Sequence, residues 1–269
     1  MRRSGVLWGI LLVLVGLLLL LSNLGVIAVD VWSLLWPLLL IGVGVWLVWG
    51  VLAKPEGVEI EEVSIPLQGA ARARVRLDHG AGQLRVTGRA APDQLLSGRF
   101  AGGLKYDVLR RADLLDVDLR VPSRVYPQFA FPWTWWSGRG ALDWEVALNP
   151  EVPLELHLKT GASATWLDLS ELQVTELRLD TGASSTEVTM PAAAGYTRAD
   201  VRSGVAGVVI RIPEGVEAHI RASGGLADTS VSPRFERVGP GAYRSPSYAT
   251  APNRLELNVE VGLGSVSIR

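Results

Sequence analysis

Hydrophobic and polar positions divide this chain at about residue 54. From Val6 to Leu21 every residue is apolar or Gly, and 13 of those 16 are Leu, Ile or Val. At about −0.3 to −0.6 kcal/mol each on an insertion scale, such residues contribute roughly −4 to −8 kcal/mol toward membrane entry. A second uncharged run, Trp32 to Ala53, is long enough to cross about 30 Å of hydrocarbon as a helix. The pattern predicts a two-helix transmembrane hairpin over residues 1–54. Arg2 and Arg3 ahead of an apolar stretch also suit a signal peptide, but this run outlasts a signal core of about 15 residues, lacks a small-x-small cleavage site and is followed at once by a second span.

After Lys54 the period changes from helical to two. Bursts such as "ARVRLD", "GQLRVTG", "LLDVDLRV", "LDWEVAL", "PLELHLK", "TELRLD", "VVIRI", "LELNVEV" and "SVSIR" carry one apolar and one charged face, bounded by Gly, Pro, Ser or Asp. That is the mark of half-buried strands, so residues 55–269 are expected to be all-β.

An apolar residue followed three positions later by Gly recurs as Leu77/Gly80, Leu158/Gly161, Leu179/Gly182, Val201/Gly204 and Val261/Gly264, with a slipped copy at Ile220/Gly224. Positions 158, 179, 201 and 220 are separated by 21, 22 and 19 residues. A period near twenty, with Gly where φ must be positive or backbones must pass closely, predicts a β-solenoid whose neighbouring coils supply one another's core. A sandwich is the alternative, but it does not require turn chemistry at fixed spacing.

Charge narrows the partners. Setting aside Arg2, Arg3, Lys54 and Asp30 leaves 23 basic and 26 acidic residues in the β region, which excludes a markedly basic nucleic-acid surface. There is no cysteine, so disulfides and thiolate metal sites are excluded. In the hairpin, Arg2, Arg3 and Lys54 flank the two spans while the short turn carries only Asp30, so both ends are expected in the cytoplasm, giving a multi-pass membrane protein with a cytoplasmic C-terminal domain. Gly5, Gly9 and Gly16 on one helix, and Gly42 and Gly50 on the other, offer smooth strips for packing within the hairpin or in a homo-oligomer.

The hairpin, with "SNLGVIAVDVWSLLWPLLLIGVG" joining its helices, resembles the transmembrane module of LiaI/LiaF-type bacterial envelope-stress proteins. The stretch "VSIPLQGAARARVRLDHGAGQLRVTGRAAPDQLLSGRF" is similar to the opening of the toast-rack domain of LiaF-like and some PspC-like proteins. The resemblance implies an accessory regulator of envelope-stress signalling, LiaF itself being associated with restraint of a membrane sensor kinase. It supplies no catalytic residues, and the best-known LiaF layout has more transmembrane helices than the two here.

Candidate chemistry is sparse. "LRLDTGASSTEV" places Asp180 in a motif that looks like the active-site loop of aspartic proteases, whose chemistry needs two carboxylates sharing a proton at about 3 Å. The same motif recurs one coil earlier with Lys159 and one coil later with Arg202, so Asp180 is expected to be a solvated turn residue; a homodimeric protease remains the enzymatic alternative. His79, His157 and His219 are far apart, His157 is expected to be exposed, and no metal or cofactor is expected. The run Tyr126 to Trp144 concentrates Trp133, Trp135, Trp136 and Trp144, with Arg139 among them. It reads either as a hydrophobic cap over an open end of the solenoid or as a contact patch for membrane lipids or a protein partner. Trp133, Trp135, Trp136 and Arg139 are the candidate interaction surface, with Trp144 expected to be buried by its own strand. Arg72, Arg74 and Arg76, on one strand face, suggest a second, weaker contact.

The sequence thus predicts a membrane-anchored, non-catalytic regulatory or interaction protein, with membrane lipids and a membrane sensor kinase or another envelope-stress component as partners. The alternatives are a surface-exposed adhesin-like scaffold, reached if topology is reversed, and a lipid-responsive membrane organiser.

Overall fold

The period-two bursts fold into long strands bent in the middle. A computed structural model describes residues 60–122 and 142–269, together with Pro37, Leu40, Ile41 and Gly44. Two units divide the chain, Met1–Glu56 and Gly57–Arg269. In the first, the four described residues are helical, and Leu40 and Ile41 are exposed. Among the described residues no helix is long and apolar enough to cross a membrane, and the expected two-helix hairpin lies almost wholly outside them.

Among its described residues the second unit contains thirteen strands: β1 (Ile60–Pro66), β2 (Arg72–Thr87), β3 (Gln94–Ala101), β4 (Lys105–Arg111), β5 (Leu114–Arg120), β6 (Asp143–Leu148), β7 (Leu154–Asp168), β8 (Val174–Thr189), β9 (Tyr196–Arg211), β10 (Glu217–Val231), β11 (Glu236–Gly239), β12 (Ala242–Arg244) and β13 (Arg254–Ile268). Strands β2, β7, β8, β9, β13 and β10 lie side by side in that order, all parallel and nearly in register. Parallel neighbours joined by a whole turn of chain are what a solenoid requires.

Burial shows how each coil is built. In β7, Leu154, Leu156, Leu158 and Thr160 are buried; Gly161 and Ala162 are both exposed; then Ser163, Thr165 and Leu167 are buried. Side chains alternate across a strand with period two, so two consecutive exposed residues mark a corner at which the phase slips by one. Each long strand is therefore two straight legs facing one interior. After the second leg, Leu169 and Leu172 turn inward, and the Leu169 amide donates to the Thr189 carbonyl of the next coil, so the closing turns stack as well. One continuous apolar core fills the stack.

The corner glycines form a column, Gly80, Gly161, Gly182, Gly204, Gly262 and Gly225, running from coil to coil. None of the six has a left-handed φ. Glycine is required by close approach: a Cβ on Gly182, Gly204, Gly262 or Gly225 would lie 3.0, 3.0, 2.7 or 2.9 Å from the carbonyl oxygen of the preceding glycine in the column, and one on Gly161 would collide with the Gly80 carbonyl.

Register corrects part of the repeat. The partners of Leu158, Leu179 and Val201 in the later coils are Val259 and Ala222, not Val261 and Ile220, and the column uses Gly262 and Gly225, not Gly264 and Gly224. Coil order also departs from chain order, because β13 inserts between β9 and β10. The period is a property of chain length per coil and does not specify which coil becomes which neighbour.

The two ends are finished differently. At the N-terminal end β5 pairs with the first leg of β2 and β6 with the second; antiparallel β4 covers β5, and β3 then β1 cover β6. At the C-terminal end the β11–β12 hairpin covers only the first leg of β10, through His219, Ile220 and Arg221.

Candidate interaction surface

Outward-facing charges on the first legs are paired, some across neighbouring segments and some within one strand. Arg72 meets Asp113 at 3.1 Å, Arg74 donates to Glu155 at 2.7 Å, and Arg76 meets Asp116 at 3.1 Å. The three arginines expected to offer a basic contact are thus each neutralised by an acid, Arg72 by one in the β4–β5 turn and Arg74 and Arg76 by ones on the neighbouring strands. Within β8 Arg178 pairs with Glu176 at 2.7 Å and within β9 Arg198 pairs with Asp200 at 3.4 Å, while Arg221 of β10 reaches Glu256 of β13 at 3.3 Å. Such half-exposed pairs add little stability individually, about 0 to 1 kcal/mol, but they leave no large single-sign field on this face.

Within this ladder Glu155, His157 and Glu176 bring ligand atoms within 4.8 Å of one another. His157 is half-buried, not exposed as expected, because it lies between Arg76 and Arg178 on the neighbouring strands. Its Nε2 is buried without a hydrogen-bond partner. Burial first, and Arg178 second, lower its pKa. A cation here would have to displace Arg74 from Glu155 and Arg178 from Glu176, so the donor set fits an ionic ladder better than a metal centre. His79 is fully buried at the corner of β2, where burial lowers its pKa, and His219 lies on β10; the stack does not gather the three histidines.

Along the corner runs an open groove of about 690 Å³, lined by the column glycines Gly182, Gly204, Gly262 and Gly225 and by Lys159, Asp180, Arg202 and Glu260. Asp180 lies within β8, in the strand and not in a turn, because the corner is made inside a continuous ladder. It is exposed and registered between Lys159 and Arg202, and Arg202 also meets Glu260 at 3.4 Å. Below this row, the Thr181 hydroxyl donates to the Ser203 Oγ at 2.7 Å.

One residue beyond the glycines lies a second row: Ala81, Ala162, Ala183, Val205, Leu263 and Leu226. Its last three members are large, apolar and exposed, at 55%, 49% and 81%. Isolated exposed leucines are ordinary, but three on adjacent coils form a contiguous ridge of the kind that marks a contact. Sequence reasoning did not single it out; its signal was the residue after each column glycine, growing from Ala to Val to Leu.

Trp133, Trp135, Trp136 and Arg139 lie outside the described residues. The flanks of their segment are described: the Val121 amide donates to the Asp78 carbonyl at 3.4 Å, and the Leu142 carbonyl lies 2.8 Å from the His79 Nε2. Both flanks therefore meet the corner of β2. Trp144 is buried as expected, edge-on to Phe100 at 5.1 Å, with its Nε1 donating to the Ala101 carbonyl at 3.3 Å.

Comparison with known proteins agrees with this architecture. The family model described as the N-terminal domain of toast_rack, DUF2154, matches residues 54–211, and the LiaI-LiaF-like transmembrane region matches residues 6–48. Among solved structures, a "putative cell adhesion protein" from Clostridium sporogenes is similar with a TM-score of 0.68 at 20% identity, covering 78% of this chain and 98% of that one. A "putative adhesin" from Bacteroides fragilis aligns over 78% of this chain and 97% of that one at 9% identity with a TM-score of 0.29, too low to carry weight. The first of these likenesses shows the fold. A search of the curated proteins gave no match.

Proposed function

The chain belongs to the toast-rack family and carries a LiaI-LiaF-like transmembrane region ahead of that domain, and from this premise we propose that it is a membrane-anchored, non-catalytic interaction protein of the bacterial envelope-stress response. The observation that carries the contact role is the exposed ridge Val205, Leu263 and Leu226 on an otherwise charge-paired scaffold. A stacked solenoid held by its backbone column is rigid, so it presents this ridge without a large ordering cost. A two-helix anchor in residues 1–54 returns the chain to the cytoplasmic side, beside a membrane partner such as a sensor kinase, and confinement to one membrane raises the effective concentration of a weak contact.

A non-catalytic mechanism is supported by Asp180, whose registered neighbours on both sides are the cations Lys159 and Arg202. A proton-sharing carboxylate pair needs the opposite surroundings, with like charges forced together. The second reading, an adhesin-like scaffold facing outward, is favoured by the words attached to the Clostridium sporogenes structure and turns on topology.

The test is made in the native host with an envelope-stress reporter. Deleting the chain should change reporter output; the full-length chain should restore it, Asp180→Asn should restore it equally, and a Val205→Ser, Leu226→Ser, Leu263→Ser chain should not. A reporter active only outside the cytoplasm, fused after Arg269, should stay silent. External activity there, or full rescue by the triple variant, would remove the cytoplasmic contact model.

A further inference from the structure

Among the described residues, every open edge of the sheet but one is guarded. β1, "IEEVSIP", carries Glu61, Glu62 and Pro66; β4, "KYDVLRR", carries Lys105, Asp107, Arg110 and Arg111; β11, "ERVG", carries Glu236 and Arg237. Charges and proline are the usual means of keeping an open strand edge from pairing. The second leg of β10, "GGLADTSV", has no proline and a single charge, Asp228, and among the described residues no strand covers it.

The backbone groups at that edge can be identified. The Ser232 amide donates to the Ile268 carbonyl at 2.8 Å, while the Arg269 amide is turned the other way, to Ile210 of β9, at 3.0 Å. In a parallel ladder alternate residues bond to the same neighbour, so Ser230 and Ser232 face β13. Ala227, Thr229 and Val231 therefore present their N–H and C=O groups at the open edge, and their half-buried side chains continue the core.

We propose that this edge pairs with the same edge of a second copy of the chain, antiparallel, about a two-fold axis through Thr229. The set is self-complementary in that register. Thr229 meets its own counterpart, Ala227 meets the other copy's Val231, and all six edge-facing groups find partners. On the outer face Asp228 falls opposite a serine, Ser230, and not opposite a second Asp228, so the like-charge conflict that destabilises facing strands is absent. Small faces β-branched on the inner side, and the two cores become continuous. Membrane anchoring favours the encounter of two copies, and a two-fold axis is the commonest symmetry of such assemblies. The contact lies beside the ridge and does not depend on the identity of any envelope-stress partner.

The absence of cysteine makes the test clean. Hydrogen-bonded antiparallel residues have Cα atoms about 5.5 Å apart, within disulfide reach. Full-length Thr229→Cys in native membranes should give a disulfide-linked dimer on mild oxidation, at about ten times the yield of an Asp93→Cys control on an exposed turn. Adding Ala227→Lys, an inward-pointing charge, should return the yield to the control. A protease-resistant Thr229→Cys chain with only control yield would overturn the proposal. So would persistence of the dimer in the Ala227→Lys background, or cross-linking to a protein of different mass. If Thr229→Cys does not fold, co-expressed Asp228→Cys and Ser230→Cys chains read the same register from the outer face, with the heterodimer expected and its absence contrary. Stress-reporter rescue by the ridge variants is measured separately, so failure of the dimer leaves the partner reading standing.

Discussion

The two ends of this solenoid solve the same problem differently. Each final coil has an apolar interior that the next coil would have covered. At the N-terminal end the chain spends five strands on closure, and Trp144, Phe100, Leu95 and Leu96 fill the space beneath them, each almost fully buried. At the C-terminal end a short hairpin covers one leg, Ala227 and Val231 remain half-exposed, and Leu226 stands 81% exposed at the corner. The first end is finished as a stable terminus. The second leaves apolar side chains and a strand edge open, and it is on this surface that the proposed contact is placed.

Substitutions should separate the ends by energy. Trp144→Ala at the closed end is expected to cost about 3 to 5 kcal/mol, the range for buried aromatic truncation, while Leu226→Ser at the open end should stay within about 0.5 kcal/mol. Chemical denaturation of the full-length chain measures both; equal costs would erase the distinction. The column between the ends gives the next effect. Gly161→Ala drives a Cβ into the Gly80 carbonyl and is expected to lose about 3 kcal/mol, whereas Gly182→Ala, with 3.0 Å to the Gly161 oxygen, should lose about 1 kcal/mol. A reversed order would mean that the column does not set coil spacing.

Protonation offers a milder probe of the closed end. His79 is buried beside Trp144 at 5.2 Å, and burial holds its pKa below the ordinary imidazole value of 6.5. Its stabilising contribution is fully present above that value. As pH falls below it, the unfolded chain takes up a proton that the folded chain refuses, so stability declines until the lowered folded value is reached. His157, lowered in the same direction, adds to the slope. Denaturation midpoints between pH 7 and 5 should therefore fall, and His79→Gln should flatten but not abolish the decline. The smallest effect is expected at Asp180→Asn, within about 0.5 kcal/mol, as for other exposed substitutions.

Much of this was legible in the sequence, and the failures have physical causes. Alternation marked the legs of β2, β5, β6, β7, β8, β9 and β13, since one face of each leg meets the core. It split β2 and β13 into separate bursts because the corner slips the burial phase. It passed over β3, where Leu95 and Leu96 are both buried and the period is lost. The recurring glycine pointed to stacked coils, yet Gly262 and Gly225 were misaligned by neighbouring glycines that satisfy the same spacing. The insertion of β13 between β9 and β10 was invisible, because alternation identifies strands without naming their neighbours. The ridge and the bare edge were missed for the same reason: Val205, Leu263 and Leu226 are separated along the chain and meet only through register. The aromatic segment with Trp133, Trp135, Trp136 and Arg139 was conspicuous in composition, and its described flanks meet the corner of β2.

In the proposed function the open end is the working end. A photoreactive residue placed at Leu226, and separately at Leu109 on the guarded strand β4, reads this directly in living cells, since both positions are exposed and apolar. Cross-linked products should form from Leu226 and be absent from Leu109. Products from Leu109 alone, with none from Leu226, would contradict the assignment of contact to the C-terminal end.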